Sequence, residues 1–201
     1  MKTIIISAQL ANGKDVAGNY LSGSLYAHTG DSWKVMGFAH AVKDVFCRTF
    51  GVNREFVEEW KRKPECPPMF DIPVRQALQQ IGHGFRLIRS SIWIDIALQD
   101  EGENKIICDG RYRNEALAGQ KMGALNLLLY RPGFLNDDPN PSESELKPVI
   151  EWYAESGLEG DVRQIKRPKG PDLYDFFIRN DGDLAGLYHK LEKWIVPAVL
   201  D

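Results

Sequence analysis

Cysteine is scarce: Cys47, Cys66 and Cys108 are three in all, an odd number without Cys-x-x-Cys spacing. That argues against a disulfide framework or a zinc site and for a reducing compartment. No apolar run approaches the length of a bilayer span, so no membrane partner is expected. Internal repeats and low-complexity tracts are missing as well. So is an excess of positive charge: 25 Lys and Arg against 28 Asp and Glu leave a net charge of −3. Strong nonspecific attraction to nucleic acid is therefore not expected. His28, His40, His83 and His189 show no metal-ligand spacing. Met1-Lys2-Thr3 runs straight into an apolar stretch without a cleavage pattern, so we expect no secretory leader and a cytoplasmic location. What remains is 201 residues, 43% hydrophobic and 26% charged, a composition that suits one α/β domain over 1–201 with a full core.

The most informative stretch is Ile4 to Asn19. Ile4-Ile5-Ile6-Ser7 is a short β-branched run that predicts a buried strand. A turn-prone segment with Asn12-Gly13 follows, then Val16, Ala17, Tyr20 and Leu21 at helical spacing. Strand, loop and helix with Gly13-Lys14 at the joint is the layout of a phosphate-binding P-loop. Backbone N–H groups at a helix start carry partial positive charge and can hold a polyphosphate. Lys14 would add a cation for the β- and γ-phosphates, and Gly13 lets the backbone approach closely. The pattern usually opens on glycine, where this chain has Ala8, which is tolerable only if the φ of that residue is negative. It usually follows lysine with a hydroxyl residue, where this chain has Asp15, whose carboxylate could hold Mg²⁺ directly or through water.

Further along, core strands are expected near 2–8, 104–109, 124–131 and 173–179, with a short one at Trp33 to Phe38. Leu25 to Ser32 reads as a loop. Helices are expected from Phe38 to about Phe50, from Arg54 to Lys63 with Asn53 as cap, over Val74 to Ile88, at Asn114 to Lys121, and from Leu184 to Ile195. Residues 134–171 are rich in proline, glycine and charge, with one amphipathic helix near Ser142 to Ser156, and read as a lid-like insertion. Strands alternating with helices imply a mostly parallel sheet with right-handed crossovers.

Several motifs in order resemble the deoxynucleoside monophosphate kinases of tailed bacteriophages, within the P-loop nucleoside monophosphate kinase group. They are Gly13-Lys14-Asp15; Phe38-Ala39 with Val42-Lys43; Arg75 to Gly82 with Trp93 beyond; Asp109-Gly110-Arg111-Tyr112-Arg113-Asn114-Glu115; Arg131-Pro132; Pro141-Ser142-Glu143; and Ile178 to Gly182 with Leu184. The likeness covers nearly the whole chain. It departs at Ala8, at Val16 for the usual threonine, at Leu10 and Ala11 for basic residues, and at Asn140 for a histidine. The resemblance implies a three-layer P-loop kinase-type α/β fold with a mostly parallel sheet, a helical acceptor-binding region at about 38–98, and the lid.

It also implies ATP and Mg²⁺ as cofactors and small-molecule nucleotides as partners, the γ-phosphoryl group passing to a deoxynucleoside monophosphate. Two alternatives stay open: a kinase acting on a hydroxymethylated base within phage DNA, and a non-catalytic nucleotide-binding protein. A homodimer is also open. Ala11, Asn12, Gly13, Lys14, Asp15 and Val16 are the expected ATP contacts, with Lys14, Asp15, Arg111 and Arg131 as the catalytic set. Asp109 ends a buried strand and could order Mg²⁺ water with Asp15, bind substrate or grip an arginine, or serve as a plain turn residue. Arg111 and Arg131 follow strand ends and could clamp phosphate in a bidentate way, or be surface residues. Arg75, on an apolar helix, is assigned by the resemblance to the acceptor phosphate, against an ordinary ion pair. Val42 and Lys43 could hold the acceptor, and Trp152 could stack on a base or pack against the lid. Asn114-Glu115 reads as a helix brace. Arg163, Lys166, Arg167 and Lys169 form a basic stretch that could reach ATP or be solvated.

Overall fold

Five parallel strands line up because their side chains are apolar on both faces, leaving no solvent side to present. The computed structural model describes residues 1–99, 102–135, 141–166 and 172–201, and not the side chains of 142 and 143. In chain order the elements are β1 (Thr3–Ser7), α1 (Lys14–Thr29), β2 (Trp33–Met36), α2 (Ala39–Phe50), α3 (Arg54–Trp60), α4 (Val74–Ile88), α5 (Ile92–Leu98), β3 (Asn104–Gly110), α6 (Arg113–Lys121), β4 (Leu125–Tyr130), α7 (Pro141–Ser144), α8 (Lys147–Ser156), β5 (Gly160–Asp161), β6 (Phe176–Arg179) and α9 (Leu184–Leu200). The sheet order is β2-β3-β1-β4-β6-β5. All neighbours are parallel except β5, which pairs antiparallel with β6.

Two compact units result: residues 1–37 with 101–201, and residues 38–100. In the first, one sheet face packs Ile4, Ile6 and Ala8 against Ala17, Leu21 and Leu25 of α1 and Leu187, Leu191, Ile195 and Val199 of α9. The other face packs Leu128, Tyr130 and Phe177 against Ala116 of α6 and Val149, Ile150 and Tyr153 of α8. Helix, sheet, helix is the three-layer arrangement expected. The stripe Ala17-Leu21-Leu25 explains a difference from the sequence reading. Leu25 is fully buried and continues the i, i+4 row, so α1 runs to Thr29 and stops at Gly30 in the left-handed region. In the same way Val199 carries α9 past Pro197, beyond the Ile195 end expected.

α8 corrects the lid reading over its own length. Val149, Ile150 and Tyr153 are at most 3% exposed, so this helix belongs to a core layer. Residues 136–140 and 167–171, including Asn140, Arg167 and Lys169, lie outside the described residues.

The second unit is all helical among its described residues. Phe46, Val57, Val74 and Ala77 form its centre, with Phe56, Phe70 and Ile81 around them. Asn53 caps α3 as expected, its Oδ1 accepting the Phe56 N–H at 2.8 Å. Gly82 and Gly84 do not break α4. The Trp93 indole N–H donates to the Gly82 carbonyl at 2.9 Å, which ties α5 to α4. Among the described residues, no helix is long and apolar enough to cross a membrane.

Candidate active site

The central strand β1 ends at Ser7, and residues 8–13 turn the chain into α1. Two residues in this turn are left-handed: Ala11 at φ 61° and Gly13 at φ 93°. Among the described residues Ala11 is the one non-glycine with positive φ, a conformation costing of the order of 1–2 kcal/mol for an L-residue. Strain of this kind persists only where neighbours over-determine it, and it gathers at functional sites. Ala8 therefore has negative φ, so its replacement of glycine is accommodated; its N–H donates to the Gly110 carbonyl at 3.1 Å.

Gly13 is needed twice over. Its φ is positive, and a Cβ there would lie 2.7 Å from Asn180 Nδ2. As the residue before α1 it has no side chain to cap the helix. The first-turn amides, which have no partners within the helix, are thus left without a side-chain cap from that position. They carry the positive end of a 16-residue helix. Lys14 is buried to all but 7%, while Asp15 and Val16 are exposed.

Asp109 sits one residue before the end of the neighbouring strand β3. A Cβ at Gly37 would collide with its carboxylate, so Gly37 makes the room that Asp109 occupies. The buried Cys108 thiol reports how these groups are gathered. Burial first, then the carboxylates of Asp15 and Asp109, push it up to about 12, with Lys14 opposing them. Among the described residues no cluster of three or more His, Cys, Asp or Glu could hold a metal on its own. Asp15 and Asp109, which both act on the Cys108 thiol, are the carboxylates here that could hold an ion keeping most of its waters, as Mg²⁺ does.

Arg131 follows β4 directly. Its N–H donates to Asn12 Oδ1 at 2.5 Å, and its guanidinium lies 4.3 Å from the centre of the Phe134 ring. Arg111 follows β3, with its N–H donating to Glu115 Oε2 at 2.7 Å. The same carboxylate accepts the Tyr112 N–H at 3.0 Å, which is the helix brace expected of Glu115. Arg179 and Asn180 extend the row at the end of β6. Asn180 Nδ2 donates to the Asn12 carbonyl at 3.1 Å. The sequence singles out neither of these two as site residues, and the loop residue that Asn180 contacts is 168 positions away along the chain. Ala11, Asn12, Gly13, Lys14, Asp15, Val16, Asp109, Arg111 and Arg131 thus lie at the carboxyl ends of parallel strands or the start of α1, where ligands bind in open α/β sheets. With β1 at the sheet centre feeding this loop, the fold is of the P-loop type, a three-layer α/β arrangement.

No protein-family model matches the chain, and no curated protein matches it. Among solved structures it is similar to a sugar kinase from Janibacter sp., with 14% identity over 99% of this chain and 98% of that one and a TM-score of 0.40. It is also similar to a shikimate kinase from Acinetobacter baumannii in complex with shikimate, with 15% identity over 100% and 96% and a TM-score of 0.47. The fold assignment stands on the chain's own strand order and loop.

The remaining site residues are placed differently. Trp152 is half-buried on α8, edge-on to Tyr153 at 4.8 Å, so its ring packs against the second core cluster. Arg163 is paired with Asp161, and Lys166 is exposed. In the helical unit Val42 is 6% exposed and lies beside Gly82, so its side chain shapes the interior. Lys43 Nζ is 2.6 Å from Glu58 Oε1, and Lys61 approaches the other carboxylate oxygen. Burial would raise Glu58, but hydrogen bonds from Lys43 and Lys61 outweigh it and bring it down to about 2. Arg75 stands in the first turn of α4, partly buried.

Proposed function

We propose that this chain is an ATP-dependent kinase that transfers the γ-phosphoryl group to a deoxynucleoside monophosphate. One observation carries the kinase reading: a strained, left-handed turn at Ala11 and Gly13 delivers Lys14 and an α1 start without a side-chain cap to the carboxyl edge of a parallel sheet. The acceptor class is supported by the ordered motifs from Gly13-Lys14-Asp15 to Ile178-Arg179-Asn180-Asp181-Gly182.

Phosphoryl transfer asks for positioning and charge neutralisation and little covalent work from the protein. The loop amides and Lys14 hold the donor phosphates. Asp15 and Asp109 would hold a hydrated Mg²⁺, which would offset negative charge on those phosphates. An acceptor phosphate oxygen attacks the γ-phosphorus, and the bond from that phosphorus to the bridging oxygen breaks as ADP leaves. Arg111 and Arg131 neutralise charge on the group in transit. The resemblance assigns Arg75 to the acceptor phosphate and Lys43, once Glu58 releases it, to the acceptor.

A coupled ADP-release assay across the deoxynucleoside monophosphates tests this, with Lys14→Ala as control. Acceptor-dependent ADP, reduced by Lys14→Ala about 100-fold or more, supports the reading. Labelled phosphate appearing only in hydroxymethylated duplex DNA would move the acceptor from free nucleotide to polymer. ATP binding without turnover on any acceptor would reduce the protein to a nucleotide binder.

A further inference from the structure

Asn12 lies in the phosphate-binding loop, yet its side chain faces the interior. It is fully buried. Nδ2 donates to the Leu10 carbonyl at 2.9 Å and to the Phe134 carbonyl at 3.4 Å. Oδ1 accepts the Arg131 N–H at 2.5 Å. A primary amide has one acceptor oxygen and two donor hydrogens on one plane, and all three are used here. A carboxylate in its place would lose both donors, and an aliphatic side chain would lose everything.

The two distant partners belong to one turn. The Phe134 N–H donates to the Arg131 carbonyl at 3.1 Å, and the Arg131 guanidinium stacks on the Phe134 ring at 4.3 Å. Asn12 grips this turn at both ends, through the amide of Arg131 and the carbonyl of Phe134. On the other side the Asn12 carbonyl accepts from Asn180 Nδ2, and the Asn180 N–H donates to the Tyr130 carbonyl at 2.7 Å. The loop, the Arg131 turn and the end of β6 are therefore linked through a single residue.

We propose that Asn12 is a positioning residue that fixes the Arg131 guanidinium relative to the phosphate-binding loop during transfer. The proposal rests on the kinase reading and adds a role for the Asn12 side chain, whose polar atoms are all taken by main-chain partners. Its physical basis is that misplacing a charge-stabilising group by about 1 Å can cost as much as about 100-fold in rate. Asn12 sets that placement through two main-chain contacts.

A double-mutant cycle over Asn12→Ala, Arg131→Ala and the pair tests it, reading kcat and the ATP KM. Asn12→Ala lowers kcat about tenfold or more with the KM within about threefold, and in the Arg131→Ala background it adds less than about twofold. Equal losses in both backgrounds, or a raised KM at unchanged kcat, overturn the proposal. A second measurement needs no turnover: exchange of the Arg131 amide hydrogen is about tenfold faster or more in Asn12→Ala, and unchanged exchange overturns the proposal. Should the alanine variant fail to fold, Asn12→Ser, which keeps one hydroxyl, gives the same comparison. If the native chain releases no ADP with any acceptor, the kinase reading falls and takes this role with it, while additive losses in an active enzyme remove this role alone.

Discussion

Gly13→Ala separates two effects that Gly30→Ala does not. Gly30 ends α1 at φ 75°, and a Cβ there would meet nothing within 4 Å. Its replacement therefore meets only the left-handed penalty, about 1–2 kcal/mol, less about 0.4–1 kcal/mol from the stiffer unfolded chain. Gly13 has the same sign of φ, but its new Cβ would stand 2.7 Å from Asn180 Nδ2. Asn180 must move, and its hydrogen bond to the Asn12 carbonyl goes with it, adding about 0.5–1.5 kcal/mol. We expect Gly30→Ala to cost about 0.5–1 kcal/mol and Gly13→Ala about 1–2.5 kcal/mol. At about 2–4 °C per kcal/mol for a chain of this size, the second variant melts roughly 2–10 °C lower. Urea unfolding at 25 °C and thermal melts of both variants measure the gap. ATP affinity should fall in Gly13→Ala and hold in Gly30→Ala. If the two variants lose equal stability, the close approach between loop and Asn180 is not what fixes the turn.

Ala11→Gly should raise stability by up to about 1 kcal/mol, because glycine relieves the left-handed cost and gives back part of it as unfolded-chain entropy. A loss in the melt would mean that residue 11 is not held at φ 61°. In the helical unit, Glu58 has a folded carboxyl value lowered from 4.5 to about 2, so its contribution is present above its unfolded value and is lost as pH falls from 4.5 towards 2. Glu58→Gln should flatten the acid limb of stability in that window and, by releasing Lys43, lower the acceptor KM. An acid limb as steep as that of the native chain would dismiss the pair as a source of acid sensitivity. Asp15→Asn should bind metal-free ATP more tightly, since a carboxylate in the first turn of α1 repels phosphate. With Mg²⁺ it should turn over more slowly. Calorimetry in chelator and kinetics with Mg²⁺ check the two halves, and unchanged affinity in chelator would remove Asp15 from the donor site.

What could be read from the sequence was local. Ile4-Ile5-Ile6 announces a strand buried on both faces, and Asn12-Gly13-Lys14 announces a turn into a helix, because each signal lies within a few residues. The three-layer order follows from alternating elements and right-handed crossovers. The inward role of Asn12 was not legible. Its partners Arg131, Phe134 and Asn180 are 119, 122 and 168 residues away, and nothing near position 12 encodes them. The end of α1 was misplaced because Tyr26-Ala27-His28-Thr29 is polar enough to suggest a loop, whereas the buried Leu25 keeps the preceding turn on the core. β5 has only two residues and had no periodicity to show.

Shape and charge in this loop are set by different residues, which bears on the departures from the usual pattern. The shape is fixed from inside: Ala8 bonds to Gly110, Asn12 bonds to the Arg131 turn, and Gly13 lies against Asn180. A methyl group at position 8 leaves that frame intact, since the left-handed backbone is required at 11 and 13 instead. The departures at Asp15 and Val16 fall on exposed positions of the first turn and alter charge and hydroxyl content alone. On the proposed reading such a loop keeps a geometry suited to a phosphate chain while a carboxylate at Asp15 would take the place of a hydroxyl toward the ion. Binding and turnover should then respond to different substitutions: Gly13→Ala is expected to weaken both, whereas Asp15→Asn is expected to tighten metal-free ATP and slow turnover.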